Sequence, residues 1–376
     1  MFNLLTYVHL RNIHNSTGAG RVARQVTEHL AIHADVRMHI LADAGDHRKV
    51  IAKVGRPWTE FQYHFFKSDT SAQQARWALM GVPRAEHYWP DADIVYCTGE
   101  SYVPVRKQRL VVTLHDAAIF ETGAHPPGYR LFKQRLKWQL LYRILSKRAD
   151  LFHTVSYFSA ERLGRFFPAI RSRLRVIYNA ASERFSAPVS SSGEQFLEVA
   201  GLRDTPYILV PGGLHYRKNA QLILDGWPLI RESLRGYRLV VAGHCSDEYI
   251  CRARALGRDL LLTGFVDDDV LCSLYHGARA VWFPSKYEGF GVPVVESMAC
   301  GAPVVASKCT AIPEVAGDAA ILAPPEEVSG HVEALEALCN NNGLRQEMIA
   351  RGRRRAKEFT WQAAATKLVY HLQSVL

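Results

Sequence analysis

The chain has 376 residues, of which 48% are hydrophobic and 22% charged, so it is long enough to bury two sizeable cores. Its net charge of +10 favours an anionic partner, but charge alone does not choose among nucleic acid, acidic membrane and phosphorylated substrate. The absence of an 18-residue apolar run and of a signal-like start argues against a membrane-spanning helix and secretion. Seven scattered cysteines predict reduced, mostly buried thiols of a cytosolic protein.

Strands and helices alternate through the first half of the sequence. A helix is predicted over 21–33, after a polar, glycine-containing loop at 14–20. Strands are predicted at 4–9, 37–41, 93–97, 109–114, 150–155 and 175–177. Such alternation predicts an α/β domain with a mainly parallel, doubly wound sheet.

A serine-rich stretch at 186–193 is predicted to link this domain to a second one. The alternation then restarts, with predicted strands at 207–210, 238–242, 260–263, 280–284 and 304–306, and with predicted helices at 219–234, 247–256, 267–276, 293–300, 328–340, 344–358 and 361–376. The predicted domains are 1–187, completed by about 360–376, and 194–359. Two doubly wound units of this kind are expected to face each other across a cleft, where the carboxyl ends of their strands bind ligands.

The segment that follows Phe283 combines a glycine-rich turn with the start of a helix. Glu288 lies in the turn, Glu296 lies one turn into the helix that begins near Pro293, and Gly301 suits a left-handed helix stop. Helix-start N–H groups bind anions, and a carboxylate accepts hydrogen bonds from hydroxyl groups. The segment therefore predicts a site for a phosphate and a polyol, unless it is an ordinary strand–helix junction with a solvated glutamate.

Two further polar stretches follow predicted strands. In the stretch 211–219, Gly212 and Gly213 permit close backbone approach, and Arg217 and Lys218 bring positive charge to a helix start. The alternative is a glycine turn followed by surface basic residues. His115 and Asp116 form a polar pair at the end of another predicted strand, where a satisfied loop histidine is the alternative.

These motifs resemble those of retaining glycosyltransferases of family 4. The pattern E-G-F-G-x-P-x-x-E at 288–296 resembles the family's E-x7-E signature, and R-K-N at 217–219 and T-x-H-D at 113–116 match two further family elements. The resemblance implies a GT-B fold with two Rossmann-like domains. Within the family, the chain looks most like bacterial mannosyltransferases that use GDP-mannose.

The resemblance also implies roles for individual residues. The catalytic residues would be Glu288, His115, Lys218 and Arg217, and the donor-binding residues would be Glu296, Phe290, Gly291, Val292, Val266 and Gly213. The first glycine loop, with Gly18 and Gly20, would lie near the donor phosphate and the acceptor. Many relatives carry Gly-Arg where this chain has Gly212-Gly213, and Asn-Gly where it has Asn179-Ala180.

No metal or other cofactor is expected. The three aspartates at 267–269 could suggest a metal site, but aspartate is also favoured at the first turn of a helix, and a helical pattern follows them. The relatives also bind their donors without a carboxylate-held metal. We therefore expect a metal-independent enzyme with a nucleotide-sugar co-substrate.

The segment 129–148 holds seven basic residues and no acidic one, with apolar residues near helical spacing. It is either a basic amphipathic helix on an anionic membrane or a core-packing helix with a solvated basic face. Because acceptors in this family are often lipid-linked, the first interpretation is slightly favoured. The expected location is the cytoplasm, with the inner face of the cytoplasmic membrane as a peripheral site.

The leading functional hypothesis is transfer of a hexose, mannose from GDP-mannose, to a glycan or a polyprenyl-diphosphate-linked saccharide. The alternatives are a UDP-sugar-dependent transferase of the same fold, a nucleotide-sugar 2-epimerase and a non-catalytic binding protein. Nucleic-acid binding is disfavoured because the basic residues lack a recognised reading motif and aromatic interleaving. The acceptor, the linkage and the oligomeric state stay open.

Overall fold

The computed structural model describes residues 1–14 and 18–376, which divide into two compact units. The first unit comprises Met1–Phe120, Gly128–Asn179 and Trp361–Leu376, and the second comprises Glu121–Pro127 and Ala180–Thr360. The assignment of an acceptor side and a donor side to these units stays a prediction.

The first unit is built on a parallel sheet of seven strands in the order β3-β2-β1-β4-β5-β6-β7. These strands are β1 Phe2–Tyr7, β2 Val36–Asp43, β3 Tyr63–Phe66, β4 Ile94–Cys97, β5 Arg109–Thr113, β6 Leu151–Thr154 and β7 Leu174–Val176. The strand order reverses between β1 and β4, which pair from Leu4 with Ile94 to Tyr7 with Cys97. Ligands bind at such a reversal in doubly wound sheets, beyond the carboxyl ends of the strands.

Helices accompany this sheet. The α-helices are α1 Leu10–His14, α2 Gly18–Ala31, α3 Ala44–Val54, α4 Thr70–Met80, α5 Ala85–Tyr88, α6 Tyr129–Arg148, α7 Tyr157–Phe166 and α16 Trp361–Gln373. The last helix of the chain, α16, packs on α2. Helices α3 and α4 were not predicted; their starts are capped by the carboxylates of Asp43 and Asp69.

The second unit has a parallel sheet of six strands in the order β10-β9-β8-β11-β12-β13. They are β8 Tyr207–Pro211, β9 Arg238–Ala242, β10 Leu260–Gly264, β11 Ala280–Phe283, β12 Val304–Ser307 and β13 Ala320–Ala323. Its α-helices are α8 Ser191–Val199, α9 Ala220–Ser233, α10 Asp247–Ala255, α11 Asp268–Gly277, α12 Val292–Cys300, α13 Ile312–Ala316, α14 Val328–Asn340 and α15 Asn342–Ala356. Here the strand order reverses between β8 and β11.

The central strands are apolar along their length because helices cover both faces of each sheet. Residues 208–210 of β8 and 281–283 of β11 are almost fully buried. Trp227 of α9 and Trp282 of β11 are completely buried in one core of the second unit, and Trp77 of α4 is buried in the first. These cores hold the strand ends in place, and the polar loops that follow the strands build the site.

The predicted linker at 186–193 is wrong as a description of local structure. It holds the end of a 3-10 helix at Glu183–Ser186 and the start of α8. The Ser190 hydroxyl accepts a hydrogen bond from the Gly193 N–H at 3.2 Å, so serine caps a helix here. Gly193 then packs so closely on Ser273 that an added Cβ would lie 1.8 Å from its hydroxyl oxygen.

Candidate active site

The loops after β8 and β11 meet through a buried ion pair. Lys218, in the first loop, places its Nζ atom 2.7 Å from Oε1 of Glu288, in the second loop, and each side chain is 10% exposed. The ammonium also lies 4.2 Å from the centre of the Phe283 ring. The structure therefore brings together two of the predicted catalytic residues at the point where the strand order reverses.

The surroundings set the charge state of this pair. Burial by itself would raise the pKa of Glu288, but the positive charges of Lys218 and Arg217 outweigh it and hold the pKa below its usual range. Burial lowers the pKa of Lys218, and the charge of Glu288 offsets part of that shift. The lowered pKa keeps Glu288 an anion at neutral pH, so it accepts hydrogen bonds and is not a proton donor.

Asn219 anchors the Lys218 loop. Its backbone is left-handed, with φ of 60°, a conformation that asparagine tolerates better than most residues. Its side-chain amide donates to the carbonyls of Pro284 at 3.1 Å and Pro325 at 2.7 Å. The R-K-N element thus contains one residue, Asn219, whose role is to fix the loop against the end of β11.

Gly213 is buried where the β8 loop crosses the backbone after β9. Its φ is 81°, and an added Cβ would lie 1.7 Å from the carbonyl oxygen of His244. No side chain fits there, so the arginine that many relatives carry in this loop has no place at position 213. Arg217, which is half-buried, is the remaining cation beside Lys218 in the loop.

The backbone holds Glu288 on its other side. The Glu288 N–H donates to the Thr310 hydroxyl at 3.1 Å, and its carbonyl accepts from the Ala311 N–H at 3.4 Å. Thr310 itself is left-handed, with φ of 55°. The segment after β12 therefore supports the turn that carries Glu288, which the sequence analysis did not anticipate.

Helix α12 begins directly after the glycine-rich turn, as predicted. Gly291 precedes the helix with φ of 98°, and an added Cβ would lie 2.6 Å from the Cδ1 atom of Ile312. No side chain caps this described helix start. Pro293 has no N–H and the Val294 N–H donates to the Gly291 carbonyl at 2.9 Å, so the Val292 N–H is the first-turn donor that can meet an anion. Phe290 is buried and packs edge-on against Phe359.

Glu296 lies one turn into α12, where the sequence placed it, and is 1% exposed. The hydroxyl of Tyr275, on α11, donates to its Oε2 atom at 3.2 Å. Glu288 and Glu296 therefore have different hydrogen-bonding partners, Lys218 for one and Tyr275 for the other. This arrangement supports separate roles and not a paired acid and base.

Val266 is half-buried after β10, next to the exposed Phe265. Phe265 stacks on His244, with ring centres 6.3 Å apart and an angle of 14° between the planes. Asp267 caps α11, because its Oδ1 atom accepts from the Val270 N–H at 2.8 Å. The helix-cap interpretation of the aspartates is confirmed for Asp267, whereas no sequence pattern predicted the stacked pair of rings.

His115 lies in the first unit and lines a cavity of about 580 Å³ at the carboxyl ends of its strands. The backbone N–H of His115 donates to Oε1 of Glu100 at 2.7 Å. Asp116 has a local role, since its Oδ1 atom accepts from the Ala118 N–H at 2.8 Å. Polar residues from several elements share the cavity with His115: His9, Asn12, Gln74, Glu100 and Ser101.

His9 is a residue of this cavity that the sequence analysis did not single out. Its Nε2 atom and the Ser101 hydroxyl are 2.8 Å apart. Burial lowers the pKa of His9 to about 4, so the ring is neutral at pH 7 and can either donate or accept. Its position just after β1, the neighbour of β4 in the sheet, is the sequence feature that could have identified it as a residue of the cavity.

The predicted glycine loop differs from the structure in its second half. Gly18 and Gly20 lie in the first turn of α2, because the helix begins at Gly18 and not after Gly20. Ala19, between them, lines the cavity. Residues 15–17 of the predicted loop lie outside the described residues.

Helix α6 has features of both a core-packing helix and a membrane-surface helix. Tyr142 and Leu145 are buried in the core of the first unit. The opposite side exposes apolar residues: Tyr129, Phe132, Leu136 and Leu140 are each more than half exposed. Exposed basic residues accompany them at 130, 133, 137, 143, 147 and 148. Within the described residues, no helix is long and apolar enough to span a bilayer.

Comparisons with known proteins agree with this architecture. The family model for Glycosyl transferases group 1 matches residues 194–355, and that for Glycosyltransferase Family 4 matches residues 16–183. The chain is 32% identical over 286 residues to O-antigen chain mannosyltransferase B of Escherichia coli, a match that covers 74% of this chain and 73% of the relative. It is 28% identical over 229 residues to mannosyltransferase WbdA of Escherichia coli, covering 58% of this chain and 28% of that one.

Two solved structures share the fold, one of them described as a glycosyltransferase. WaaG, involved in lipopolysaccharide biosynthesis, has a TM-score of 0.72 at 17% identity, with 98% of each chain covered. Anabaena HepE, solved with UDP and glucose, has a TM-score of 0.74 at 17% identity, with 100% of each chain covered. This chain therefore belongs to glycosyltransferase family 4, has the GT-B fold and is a hexosyltransferase.

Proposed function

We propose that this protein transfers mannose from GDP-mannose, with retention of configuration, to a glycan or lipid-linked saccharide in the synthesis of a cell-surface polysaccharide or glycolipid. The choice of mannose is supported by the relatives, of which one is named an O-antigen chain mannosyltransferase. The observation that carries the proposal is the buried pair of Lys218 and Glu288 at the strand-order reversal of the second unit.

The first part of the site binds the donor diphosphate. Lys218 and Arg217 supply positive charge, and the Val292 N–H at the start of α12 supplies a hydrogen-bond donor. Negative charge grows on the diphosphate as the bond to the sugar breaks, and groups that are already in position stabilise it without reorganisation. Glu288 contributes by holding Lys218 in place before the donor arrives.

The second part of the site binds hydroxyl groups. Glu296, oriented by Tyr275, accepts hydrogen bonds from the ribose hydroxyls of the nucleotide. Glu288, with the backbone N–H groups of Phe290 and Gly291, binds hydroxyls of the transferred sugar. Val266 contacts the nucleobase through its backbone. The contact of His115 with the donor sugar stays a prediction from the resemblance.

The reaction needs no protein base. The bond from the anomeric carbon to the diphosphate oxygen breaks while the acceptor oxygen bonds to that carbon on the same face. The acceptor's hydroxyl proton passes to the departing phosphate oxygen. This scheme fits a site in which Glu288 is already paired with Lys218 and Glu296 with Tyr275.

The charge of the diphosphate is neutralised by side chains in this proposal, and no metal ion takes part in the transfer step. The test is to add Mg²⁺ or Mn²⁺ to briefly chelated enzyme. We expect the rate to change by less than about twofold, whereas a metal that clamps the diphosphate would contribute several kcal/mol. A large increase in the transfer rate would contradict this part of the proposal and show that a metal ion takes part in the transfer step.

The acceptor binds in the first unit, in the cavity lined by His9, Glu100 and His115. Its polar residues suit saccharide hydroxyls, and its wall also includes apolar side chains from α4 and α6, such as Leu79 and Leu140. An acceptor that joins a saccharide to a lipid fits this mixture. We place the enzyme peripherally at the inner face of the cytoplasmic membrane, with the exposed apolar side of α6 against anionic lipid.

The decisive experiment is thermal unfolding with a panel of nucleotide sugars, followed by product analysis. A donor at a hundred times its dissociation constant stabilises the protein by about 2.7 kcal/mol, which is readily measured. We expect GDP-mannose to stabilise most and its turnover to require an acceptor. Stabilisation by UDP-sugars alone would show that the donor is UDP-linked, and the protein would still be a glycosyltransferase. Free epimer formed without an acceptor would instead indicate an epimerase.

A further inference from the structure

Three side chains that no step of the proposed reaction uses lie together where α11 packs against α12. Cys272 and His276 are one helical turn apart on α11, and Cys300 is the last residue of α12. The sulfur atoms and a ring nitrogen all lie within 4.8 Å of one another. Residues four apart share one face of a helix, and α11 packs against α12, so the cluster follows from the packing of two helices.

The types of these side chains select the class of ligand. Thiolate and imidazole groups bind soft or borderline cations such as Zn²⁺, whereas Mg²⁺ and Ca²⁺ require oxygen ligands. Tetrahedral Zn²⁺, with bonds of about 2.0–2.3 Å, separates its sulfur and nitrogen ligands by about 3.5–3.8 Å. The distances between ligand atoms therefore need to shorten by no more than about 1.3 Å, which side-chain rotation can supply.

The contacts of the cluster leave it ready for a cation. Cys272 and Cys300 are buried, and their thiols donate to the backbone carbonyls of Arg184 at 3.4 Å and Phe185 at 3.1 Å. Among the described residues, the buried Nε2 atom of His276 has no hydrogen-bond partner. A buried ring nitrogen without a partner is unfavourable, and a metal bond would satisfy it.

Neighbouring charge does not oppose a cation. Arg184 is the basic side chain that approaches the cluster, and its guanidinium is paired with the carboxylate of Asp269. Binding releases the protons of both thiols, so the cation meets two thiolates and a neutral imidazole. Two negative ligands neutralise a divalent cation, which makes its burial acceptable.

We propose that Cys272, His276 and Cys300 form a binding site for a thiophilic divalent cation of the Zn²⁺ class, with water as the fourth ligand. The bound cation ties the end of α11 to the end of α12. Tyr275 precedes His276, and Glu296 lies one turn before Cys300, so the cation also fixes the contact between Tyr275 and Glu296. An effect on donor binding rests on the proposed function of Glu296, whereas the metal site itself does not.

The test is titration of the reduced full-length protein, after chelation, with Co²⁺ as a spectroscopic probe and Zn²⁺ as a competitor. We expect one equivalent of Co²⁺ to produce thiolate-to-cobalt charge-transfer bands and tetrahedral visible bands, both removed by Zn²⁺. Cys272→Ser, Cys300→Ser and His276→Gln should each weaken Co²⁺ binding by at least about 10- to 100-fold. Cys251→Ser, which removes an exposed thiol on α10, is the matched control and should leave the titration unchanged.

Three outcomes would overturn the inference. The first is a wild-type titration without thiolate-to-cobalt bands, a result that does not depend on whether any variant folds. The second is a full set of bands in Cys272→Ser or Cys300→Ser, which would place the cobalt elsewhere. The third concerns a disulfide. Non-reducing mass spectrometry of the wild type is done in parallel. A Cys272–Cys300 disulfide that reforms in preference to Zn²⁺ binding under reducing conditions would also contradict it.

Discussion

The ammonium of Lys218 and the carboxylate of Glu288 lie 2.7 Å apart, although 70 positions separate them in the chain. Neighbouring strands β8 and β11 deliver them to the same place, because the order of the sheet reverses between these two strands. The pair is enclosed on one side by the Phe283 ring. In the proposed mechanism it is a charged group held in position before the donor binds.

Lys218→Met should reduce transfer by about 100-fold, since a preorganised contact to a developing charge contributes roughly 3 kcal/mol. The same change leaves Glu288 buried without its counter-ion and should lower the free energy of unfolding by about 3 kcal/mol. The measurements are kcat/KM with GDP-mannose and unfolding in urea. Near-normal turnover would contradict the phosphate-binding role.

The double variant Lys218→Met/Glu288→Leu separates folding from chemistry. Apolar side chains of similar volume replace both charges, so most of the lost stability should return while transfer stays low. If the double variant were as unstable as Lys218→Met, the buried charge of Glu288 would not be the cause of the instability.

Glu296→Ala should mainly raise the KM for the donor, with a smaller effect on kcat. A charged hydrogen bond contributes about 1.5–3 kcal/mol, so the expected increase is roughly 10- to 100-fold. Tyr275→Phe is the matched control, because it removes the hydroxyl that donates to Glu296 and keeps the carboxylate. It should raise KM less than Glu296→Ala does. An unchanged donor KM in Glu296→Ala would argue against ribose binding.

Gly213→Ala should destabilise the second unit far more than Gly236→Ala. Both glycines have similar backbone angles, with φ of 81° and 84°, so the alanine strain of about 1–2 kcal/mol is common to both. Only at Gly213 does the new Cβ meet the His244 carbonyl, at 1.7 Å, whereas nothing lies within 4 Å at Gly236. Urea midpoints of the two variants measure the difference. Equal destabilisation would mean that the loop moves freely.

His153 should make the stability of the first unit depend on pH. The ring is buried, burial lowers its pKa to about 4 from an ordinary value of 6.5, and Ile177 accepts a hydrogen bond from its Nε2. The unfolded chain therefore binds the proton first as pH falls. Stability is full above pH 6.5 and declines between 6.5 and 4, by up to about 3 kcal/mol.

His153→Gln removes this titration. The variant is less stable throughout, because Tyr96 and Thr113 lose a partner, but its stability should vary less between pH 6.5 and 4 than that of the wild type. Unfolding free energies at several pH values provide the comparison. An unchanged slope would show that His153 is not the titrating group.

Phe132→Ser/Leu136→Ser should weaken binding to vesicles of anionic phospholipid by at least about tenfold, because it removes apolar area that would enter the membrane interface. Val199→Ser/Leu229→Ser is the matched control, since it removes two exposed apolar side chains of the second unit. Vesicle sedimentation measures both, and added salt should weaken the wild type's binding. Equal binding of the two variants would favour the core-packing interpretation of α6.

Local patterns predicted much of the fold. The strands β8, β9, β11 and β12 and the helices α9, α10, α11 and α14 lie within two residues of their predicted ends, because apolar periodicity and helix-boundary residues are local properties. The start of α12 after Gly291 and its stop at Gly301, with φ of 74°, also follow from nearby residues. The elements that were missed, such as β3 and α3, are short or rich in polar residues.

The sequence by itself determined that this is a two-unit α/β glycosyltransferase and identified the turn and helix that carry Glu288 and Glu296. Only the tertiary structure decided which partners these carboxylates have: Lys218 for Glu288, and Tyr275 for Glu296. It alone brought Cys300 to Cys272 and His276. Spacing along the chain specifies local conformation, but contacts between distant residues depend on strand order and helix packing, which bury and orient the side chains.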